Sequence, residues 1–86
     1  MDEITVSVRY FASVREALGE GQALRVPAGL SVAALRSRLA ACSRAHAAVL
    51  GSGQALRVAV NQRLADEATV LQADAEVAFF PPVTGG

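Results

Sequence analysis

The sequence lacks residues that several common protein functions require. None of its 86 residues is lysine, which excludes a Walker-type nucleotide site, a Schiff-base lysine and lysine-linked chains of the protein itself. A base composition that favours arginine codons would account for this absence equally well. The eight arginines balance eight acidic residues, so no net charge attracts a nucleic acid or an anionic membrane.

Cysteine, histidine and long apolar runs are also scarce. The single cysteine, Cys42, cannot form an internal disulfide, the N-terminal segment does not resemble a secretory signal, and no apolar run approaches the roughly 18 residues of a membrane span. We therefore expect a cytoplasmic protein. The single histidine, His46, has no second ligand at metal-binding spacing, so we expect it to be structural or solvated and expect no metal site.

The length and the 52% apolar content are those of one globular domain. Its first segment alternates apolar and polar residues, which predicts a strand with one buried face. A second strand ends at Pro27. Between the two strands, Ser13 to Glu16 has the pattern of a capping box, and Gly19 is suited to end a helix of one or two turns. The apolar positions of the two strands are Ile4, Val6, Val8, Tyr10, Leu24 and Val26.

A longer amphipathic helix is predicted next. Ser31 is a suitable N-cap for it, and Leu30 can pack on Leu35 as a hydrophobic staple. Apolar residues at helical spacing indicate one main helix lying on a sheet. Cys42 falls on this stripe, so we expect a small buried side chain there, with a persulfide or nucleophile role as the alternative. The stripe consists of Val32, Leu35, Leu39, Cys42 and Val49.

Shorter extended segments complete the chain. A third strand covers Leu56 to Val60, Asn61 and Gln62 turn the chain, and short extended pieces follow. A last strand, with Val77 and Phe79 on one face, ends at Pro81 because proline has no N–H to offer a sheet. The short pieces contain Leu64, Val70 and Leu71.

The order of these elements predicts an α+β fold of the ubiquitin-like β-grasp type. One main helix would pack on one face of a mixed sheet, and the right-handed crossover rule would place the last strand parallel to the first, beside it in the sheet centre. We expect residues 1–80 to form the β-grasp domain and residues 81–86 to form a flexible, extended C-terminal tail that ends in two glycines.

The body of the domain offers no convincing active site. Gly51-Ser52-Gly53 lacks the lysine and the preceding strand of a phosphate-binding loop, and Cys42 and His46 have no third residue to orient a catalytic pair. Acidic residues near the turns and arginines along the main helix are typical of solvated surfaces. The domain is therefore expected to be a scaffold.

The tail is the more informative segment. Phe80, Pro81 and Pro82 favour extended backbone, and the six residues beyond Phe80 can reach about 20 Å. Gly85 and Gly86 leave the end thin enough to enter a narrow channel in a partner. A carboxylate is a poor electrophile, so its use requires activation. Adenylation by a partner that binds ATP would supply a leaving group, and sulfide attack would then give a thiocarboxylate.

Three stretches, "VRYFASVREALG", "VAVNQRL" and "EVAFFPPVTGG", resemble the sulfur-carrier small subunits of molybdopterin synthase, a MoaD/ThiS-type ubiquitin-like family, over nearly the full length. The resemblance implies a cytoplasmic heterotetramer of two small and two large subunits, in which the small subunit is not catalytic on its own. The thiocarboxylate would donate sulfur to cyclic pyranopterin monophosphate in molybdenum cofactor biosynthesis.

The resemblance also implies roles for individual residues and partners. Gly86 would carry the acyl-adenylate and then the sulfur, and Thr84 and Gly85 would lie in the large subunit's active site. A MoeB-like adenylyltransferase, related to ubiquitin-activating enzymes, would use ATP to activate the tail, and a desulfurase or rhodanese system would supply sulfur. No cofactor would be bound by the chain itself. Partner contacts would involve Phe11, Phe80, Pro81, Pro82 and Val83.

The sequence departs from the family pattern at two places, and three alternative functions remain. Ala73 to Glu76 lacks the glycine that the family commonly has in this turn, and Arg9 to Phe11 replaces a more apolar run. A sulfur carrier for thiazole synthesis, a ubiquitin-like protein modifier and a plain interaction module are the alternatives. Phe11 and Phe80 are out of phase with the buried alternation, so they either form an exposed apolar patch or pack against the tail or the short helix.

Overall fold

The computed structural model describes residues 2–51 and 53–82. Within these ranges the chain forms five strands and three helices, and no helix there is long and apolar enough to span a bilayer. In chain order they are β1 (Glu3–Tyr10), α1 (Ala12–Leu18), β2 (Gly21–Pro27), α2 (Val32–Ala40), α3 (Arg44–Leu50), β3 (Arg57–Val60), β4 (Arg63–Ala65) and β5 (Glu76–Phe80).

The five strands form one mixed sheet in the order β2-β1-β5-β3-β4. β1 and β5 are parallel neighbours, with Tyr10 paired to Phe79, and the other pairs are antiparallel. The predicted β-grasp arrangement, with the first and last strands side by side in the sheet centre, is confirmed. The predicted turn at Asn61 and Gln62 is also confirmed, because both residues have positive φ (51° and 68°), as a two-residue hairpin of type I′ requires.

The short helix differs from its predicted start. α1 begins at Ala12, and its N-cap is Phe11, which makes no side-chain capping bond. The capping box at Ser13 to Glu16 was therefore wrong. The backbone explains the difference: Phe11 stays extended and donates its N–H to the carbonyl oxygen of Phe79 at 3.1 Å, while its own carbonyl accepts from Val14. The helix has already begun when Ser13 is reached. Gly19 ends it with a positive φ of 91°, as predicted.

The predicted single main helix is divided into α2 and α3. Ser31 caps α2 as predicted, its Oγ accepting from the Ala34 N–H at 3.2 Å. A second serine, Ser43, is extended (φ −164°, ψ 171°) and its Oγ accepts from the His46 N–H at 3.1 Å. Ser43 thus caps a new helix, because a serine side chain competes with the backbone of a continuing helix. Cys42 lies in the break and is exposed, so its predicted burial was wrong.

The core lies between the helices and one face of the sheet. It contains no buried polar or charged residue among those described, and the alternating strand positions predicted to face inward supply much of it. The buried side chains are Val6, Val8, Tyr10, Val14, Val26, Val32, Leu35, Leu39, Leu50, Val58, Leu71, Ala75, Val77 and Phe79.

Arg36 ties the helical layer to the loop that precedes β3. Its Nε donates to the carbonyl of Leu50 at 2.6 Å, and its Nη2 donates to the carbonyls of Gly51 (3.0 Å) and Gln54 (2.7 Å). Its Nη1 pairs with Glu67 at 2.8 Å. This guanidinium was expected to be solvated, yet only 12% of its side chain is exposed. It closes the end of α3, where helix carbonyls lack partners.

The glycine-free turn before β5 keeps a conformation that favours glycine. Asp74 has φ of 63° and donates its N–H to the Thr5 carbonyl at 2.8 Å, so the strained residue is held against β1. Aspartate tolerates the left-handed region better than most residues. The missing glycine therefore leaves the turn in place at a modest cost in free energy.

Substitutions at Asp74 test this cost. We expect Asp74→Gly to leave the free energy of unfolding unchanged or raise it by up to about 1 kcal/mol, and Asp74→Val to lower it by about 1–2 kcal/mol. Urea unfolding followed by circular dichroism measures both. Ala73→Gly, one residue earlier, is the matched control for added chain freedom. If Asp74→Gly lost as much stability as Asp74→Val, the backbone at position 74 would not be strained in the way we infer.

Candidate functional site

The tail leaves the fold from the centre of the sheet. β5 is hydrogen-bonded to β1 on one side and to β3 on the other, and it ends at Phe80. Pro81 is partly buried and Pro82 is exposed, and neither can extend the sheet because proline lacks an N–H. A strand held on both sides therefore delivers the chain to one end of the molecule. The predicted tail residues Val83, Thr84, Gly85 and Gly86 lie outside the described residues.

Phe11 lies beside this exit. The bond from its N–H to Phe79 continues the β1–β5 register by one residue, which places Phe11 next to Phe80. The Phe11 side chain is 42% exposed, which favours the first of the two alternatives for this residue, an exposed apolar patch. Phe80 is half-buried. The structure thus brings together two of the residues that were predicted as partner contacts.

The two phenylalanines belong to a wider apolar surface on the sheet face that points away from the helices. Val58, Val77 and Phe79 are buried on the helix side, so the alternate residues point outward. Ala59 pairs with Ala78 in β5 and with Leu64 in β4. We call this surface the outer patch; it consists of Phe11, Ala59, Leu64, Ala78 and Phe80.

Leu64 was missed as a site residue by sequence reasoning. Its side chain is 69% exposed, more than any other large apolar side chain described. The signal was available in the two-residue turn, since a turn at Asn61 and Gln62 fixes Leu64 opposite Ala59 and hence on the outer face. An exposed leucine on a three-residue edge strand is a liability unless a partner covers it.

Charged residues border the outer patch unequally. Arg9, in β1, pairs with Glu76 at 3.6 Å, and both side chains are largely exposed. Arg57, in β3, is exposed and lies opposite Phe80. Within residues 2–51 and 53–82, Arg57 has no acidic partner within 4.0 Å. The β3 side of the patch therefore carries an uncompensated positive charge.

Behind the exit, Tyr10 packs in the core. Its ring lies 6.4 Å from the rings of both Phe79 and His46, and its hydroxyl has no well-formed hydrogen bond within the described part of the chain. Burial raises the pKa of Tyr10 above 10.0, and the nearby Cys42 thiol raises it further, while the Gln22 amide acts weakly in the opposite direction. The phenol is therefore held neutral and contributes packing.

Cys42 and His46 do not form a catalytic pair. The Cys42 Sγ contacts the Arg38 carbonyl at 3.6 Å, while His46 Nδ1 lies 2.7 Å from the Ser43 hydroxyl that caps α3. No three potential metal ligands cluster anywhere in the described ranges. The described residues thus bring an exposed apolar patch together with the exit of the tail.

Comparisons with known proteins agree with this architecture. The sequence profile of the ThiS family matches residues 8–86. The chain belongs to the ThiS family. The Escherichia coli K12 molybdopterin synthase sulfur carrier subunit is 46% identical over 82 residues, which cover 94% of this chain and 99% of that protein.

Solved structures of ThiS-like folds are similar over most of their length. The complex of subunits 1 and 2 of the molybdopterin-converting factor from Helicobacter pylori matches with a TM-score of 0.65 and 26% identity, covering 96% of this chain and all of the matched one. The small archaeal modifier protein 1 of Haloferax volcanii matches with a TM-score of 0.73 and 24% identity, covering 93% and 99%. The second likeness concerns the fold alone.

The Tyr10→Phe variant tests the buried phenol. Because the folded-state pKa is raised above 10.0, the unfolded chain loses this proton first, so the stabilisation is complete below about pH 10 and is lost as pH rises through the folded pKa. We expect Tyr10→Phe to remove this loss and, at pH 7, to match or exceed wild-type stability by about 1 kcal/mol.

The measurement is thermal unfolding between pH 8 and 11, with tyrosinate absorbance following the chain's single tyrosine. Cys42→Ser is the control that removes the neighbouring thiol. Identical pH dependence in wild type and Tyr10→Phe would show that the phenol contributes nothing.

Proposed function

We propose that this chain is the sulfur-carrier subunit of a molybdopterin synthase, acting in the cytoplasm and without catalytic activity of its own. In this role Gly86 carries a thiocarboxylate, and Thr84 and Gly85 lie in the large subunit's active site. The acceptor of the sulfur is cyclic pyranopterin monophosphate, and the product carries the dithiolene of molybdopterin.

The point where the chain leaves the sheet is the observation that carries the proposal. The central strand leads directly into Pro81 and Pro82, beside an exposed apolar patch, at the end of a body that lacks an assembled reaction centre in its described residues. A chain built in this way can present its terminus to another protein's active site. The family match and the E. coli relative, a molybdopterin synthase sulfur carrier subunit, support a carrier role for this chain.

The chemistry requires activation outside this chain. The Gly86 carboxylate attacks the α-phosphorus of ATP on a MoeB-like adenylyltransferase, and pyrophosphate leaves. Sulfide then attacks the acyl carbon and AMP leaves, which gives the thiocarboxylate; a desulfurase or rhodanese system supplies this sulfide when a thiol reduces its persulfide and is itself oxidised to a disulfide. The thiocarboxylate sulfur bonds to the pterin as a thioester, and water then cleaves the acyl–sulfur bond, which leaves the sulfur on the pterin and returns the tail to a carboxylate. Glycine has no Cβ to obstruct attack at the acyl carbon.

The large subunit is the partner with the most direct support. The H. pylori match is a complex of subunits 1 and 2 of the molybdopterin-converting factor. By analogy we propose a heterotetramer of two small and two large subunits. Phe11, Phe80, Pro81, Pro82 and Val83 contact the large subunit in this assembly, and Leu64 extends that contact surface.

Intact mass tests the carrier role. After incubation with ATP, the adenylyltransferase and a sulfur source, we expect a species heavier by one sulfur-for-oxygen exchange, located in the C-terminal peptide. Deletion of Gly86 should abolish it, because the remaining terminus no longer fits the adenylation site. The charged wild type should then convert the pterin precursor when the large subunit is added.

Gly29→Ala is the control, since this glycine lies in the exposed turn after β2, at the opposite end of the sheet from the tail exit, and has open space around its Cα, although its positive φ makes the variant slightly less stable. Persistence of the unmodified carboxylate in the wild type would overturn the carrier role. Isopeptide adducts on lysines of other proteins would instead favour a ubiquitin-like modifier, and charging without pterin conversion would favour a carrier for thiazole synthesis or another pathway.

Phe11 provides a separate test of the docking surface. We expect Phe11→Ser to weaken binding to the large subunit by about tenfold or more, because an apolar side chain at an interface centre commonly contributes 1–2 kcal/mol or more. Isothermal titration calorimetry measures the dissociation constant. Val70→Ser is matched in exposure, 49% against 42%, but lies outside the outer patch. Equal weakening by both variants would contradict a specific role for Phe11.

A further inference from the structure

A cavity of about 110 Å³ opens at the β3–β4 edge of the sheet, between the hairpin and the start of α2. Its floor is apolar: Val32 and Phe79 are fully buried, and Val58 is nearly so. Leu64 and Ala65 form its edge on β4. The complete lining is Val32, Arg36, Leu56, Arg57, Val58, Leu64, Ala65, Glu67 and Phe79.

The size and lining of the cavity suit a side chain. Apolar cavities of about 150 Å³ take up a molecule as large as benzene and stay poorly hydrated. A space of about 110 Å³ therefore accepts the end of a leucine or methionine side chain. Filling it would gain dispersion contacts that the walls now lack.

The charged residues at the rim of the cavity indicate which charged group would lie beside the side chain that enters it. Arg36 is already engaged, since its guanidinium donates to three carbonyls and pairs with Glu67. Arg57 has no acidic partner in the described part of the chain and is exposed. An arginine of this kind beside an apolar recess is suited to a carboxylate from outside.

The cavity and the outer patch lie on opposite faces of the sheet and meet at its β3–β4 edge, where Leu64 and Arg57 line the cavity. Phe79, at its floor, precedes Phe80 in the chain, and Arg57 lies opposite Phe80 in the sheet. Leu64 belongs both to the cavity and to the outer patch. A protein that covers the patch therefore reaches the cavity by extending around the β4 edge of the sheet.

We propose that this cavity receives an apolar side chain of the molybdopterin synthase large subunit, with a carboxylate of that subunit facing Arg57. The inference rests on the proposed function and adds to it a defined anchor point away from the tail. Such an anchor fixes the orientation of the domain, so that the tail enters the active site in one direction only. A buried apolar anchor with an arginine beside it is also the composition found at the energetic centre of many interfaces.

Filling the cavity tests the anchor. Ala65 is partly buried at the cavity edge, so Ala65→Leu should occupy the space from within and exclude the partner's side chain. We expect the dissociation constant for the large subunit of the same organism to rise roughly tenfold or more, with folding stability kept or increased. The matched control is Ala23→Leu on β2, the opposite edge strand.

Reversing the charge gives an independent test that does not alter the interior. Arg57→Glu should weaken the same binding by roughly tenfold or more and reduce its dependence on salt, while Arg38→Glu, an exposed arginine on α2, should change it little. Titration calorimetry at two ionic strengths measures both effects. The exposed position of Arg57 keeps this variant informative even if Ala65→Leu folds poorly.

The outcomes separate this inference from the proposed function. If wild-type tail is charged with sulfur and binds the large subunit, yet Ala65→Leu and Arg57→Glu bind equally well, the anchor is overturned and the carrier role stands. Weakened binding to the adenylyltransferase alone also overturns the anchor, because the partner is then wrong. A wild type that is neither charged nor bound overturns both.

Discussion

The pairing of β5 between β1 and β3 is the constraint on which the other features depend. A strand held on both sides cannot shift without breaking two ladders, so its end is fixed relative to the whole domain. The parallel pair also brings the end of β1 to the same place, and the N–H of Phe11 bonds to Phe79 there. The tail, the short helix and the aromatic residues therefore meet at one end of the molecule because of one strand pairing.

The same pairing divides the residues of β5 between two tasks. Val77 and Phe79 face the helices and complete the core, while Ala78 and Phe80 face outward. A shift by one residue would expose the first pair and bury the second, because side chains alternate along a strand. Core packing thus specifies the register, and the register places Phe80 beside Phe11 on the outer patch. Docking geometry is in this sense a consequence of core packing.

The features that could be predicted from the sequence were those set by local periodicity or by a single residue with a strong preference for one position in a helix. Alternation revealed the strands, Ser31 marked a helix start and Gly19 marked a helix end. The division of the main helix was not predicted, because apolar spacing continues across the break and only the geometry of Ser43 shows which cap is used. Arg36 was assigned to the solvated face because its four acceptors come from residues 14 to 31 positions away, which helical periodicity cannot indicate.

The candidate site was predictable in part for the same reason. Phe11 and Phe80 stood out because they break a local pattern, but Leu64, Arg57 and the cavity arise from neighbours across strands. The fixed φ angles at the start of the tail also suit the proposed role. Ordering a residue in a partner's channel costs about 1–2 kcal/mol of backbone entropy, and Pro81 and Pro82 lower that cost because their φ angles are already fixed. The proposed apolar anchor on the folded body would offset the remainder, so the partner would not need to grip the terminal glycines themselves. In the proposed role, weak contact at the terminus would matter chemically, because the acyl carbon of Gly86 would have to stay accessible to the sulfur donor and then to the acceptor. The absence of lysine would also keep the activated terminus available to its sulfur donor, since no lysine amine of this chain can attack it.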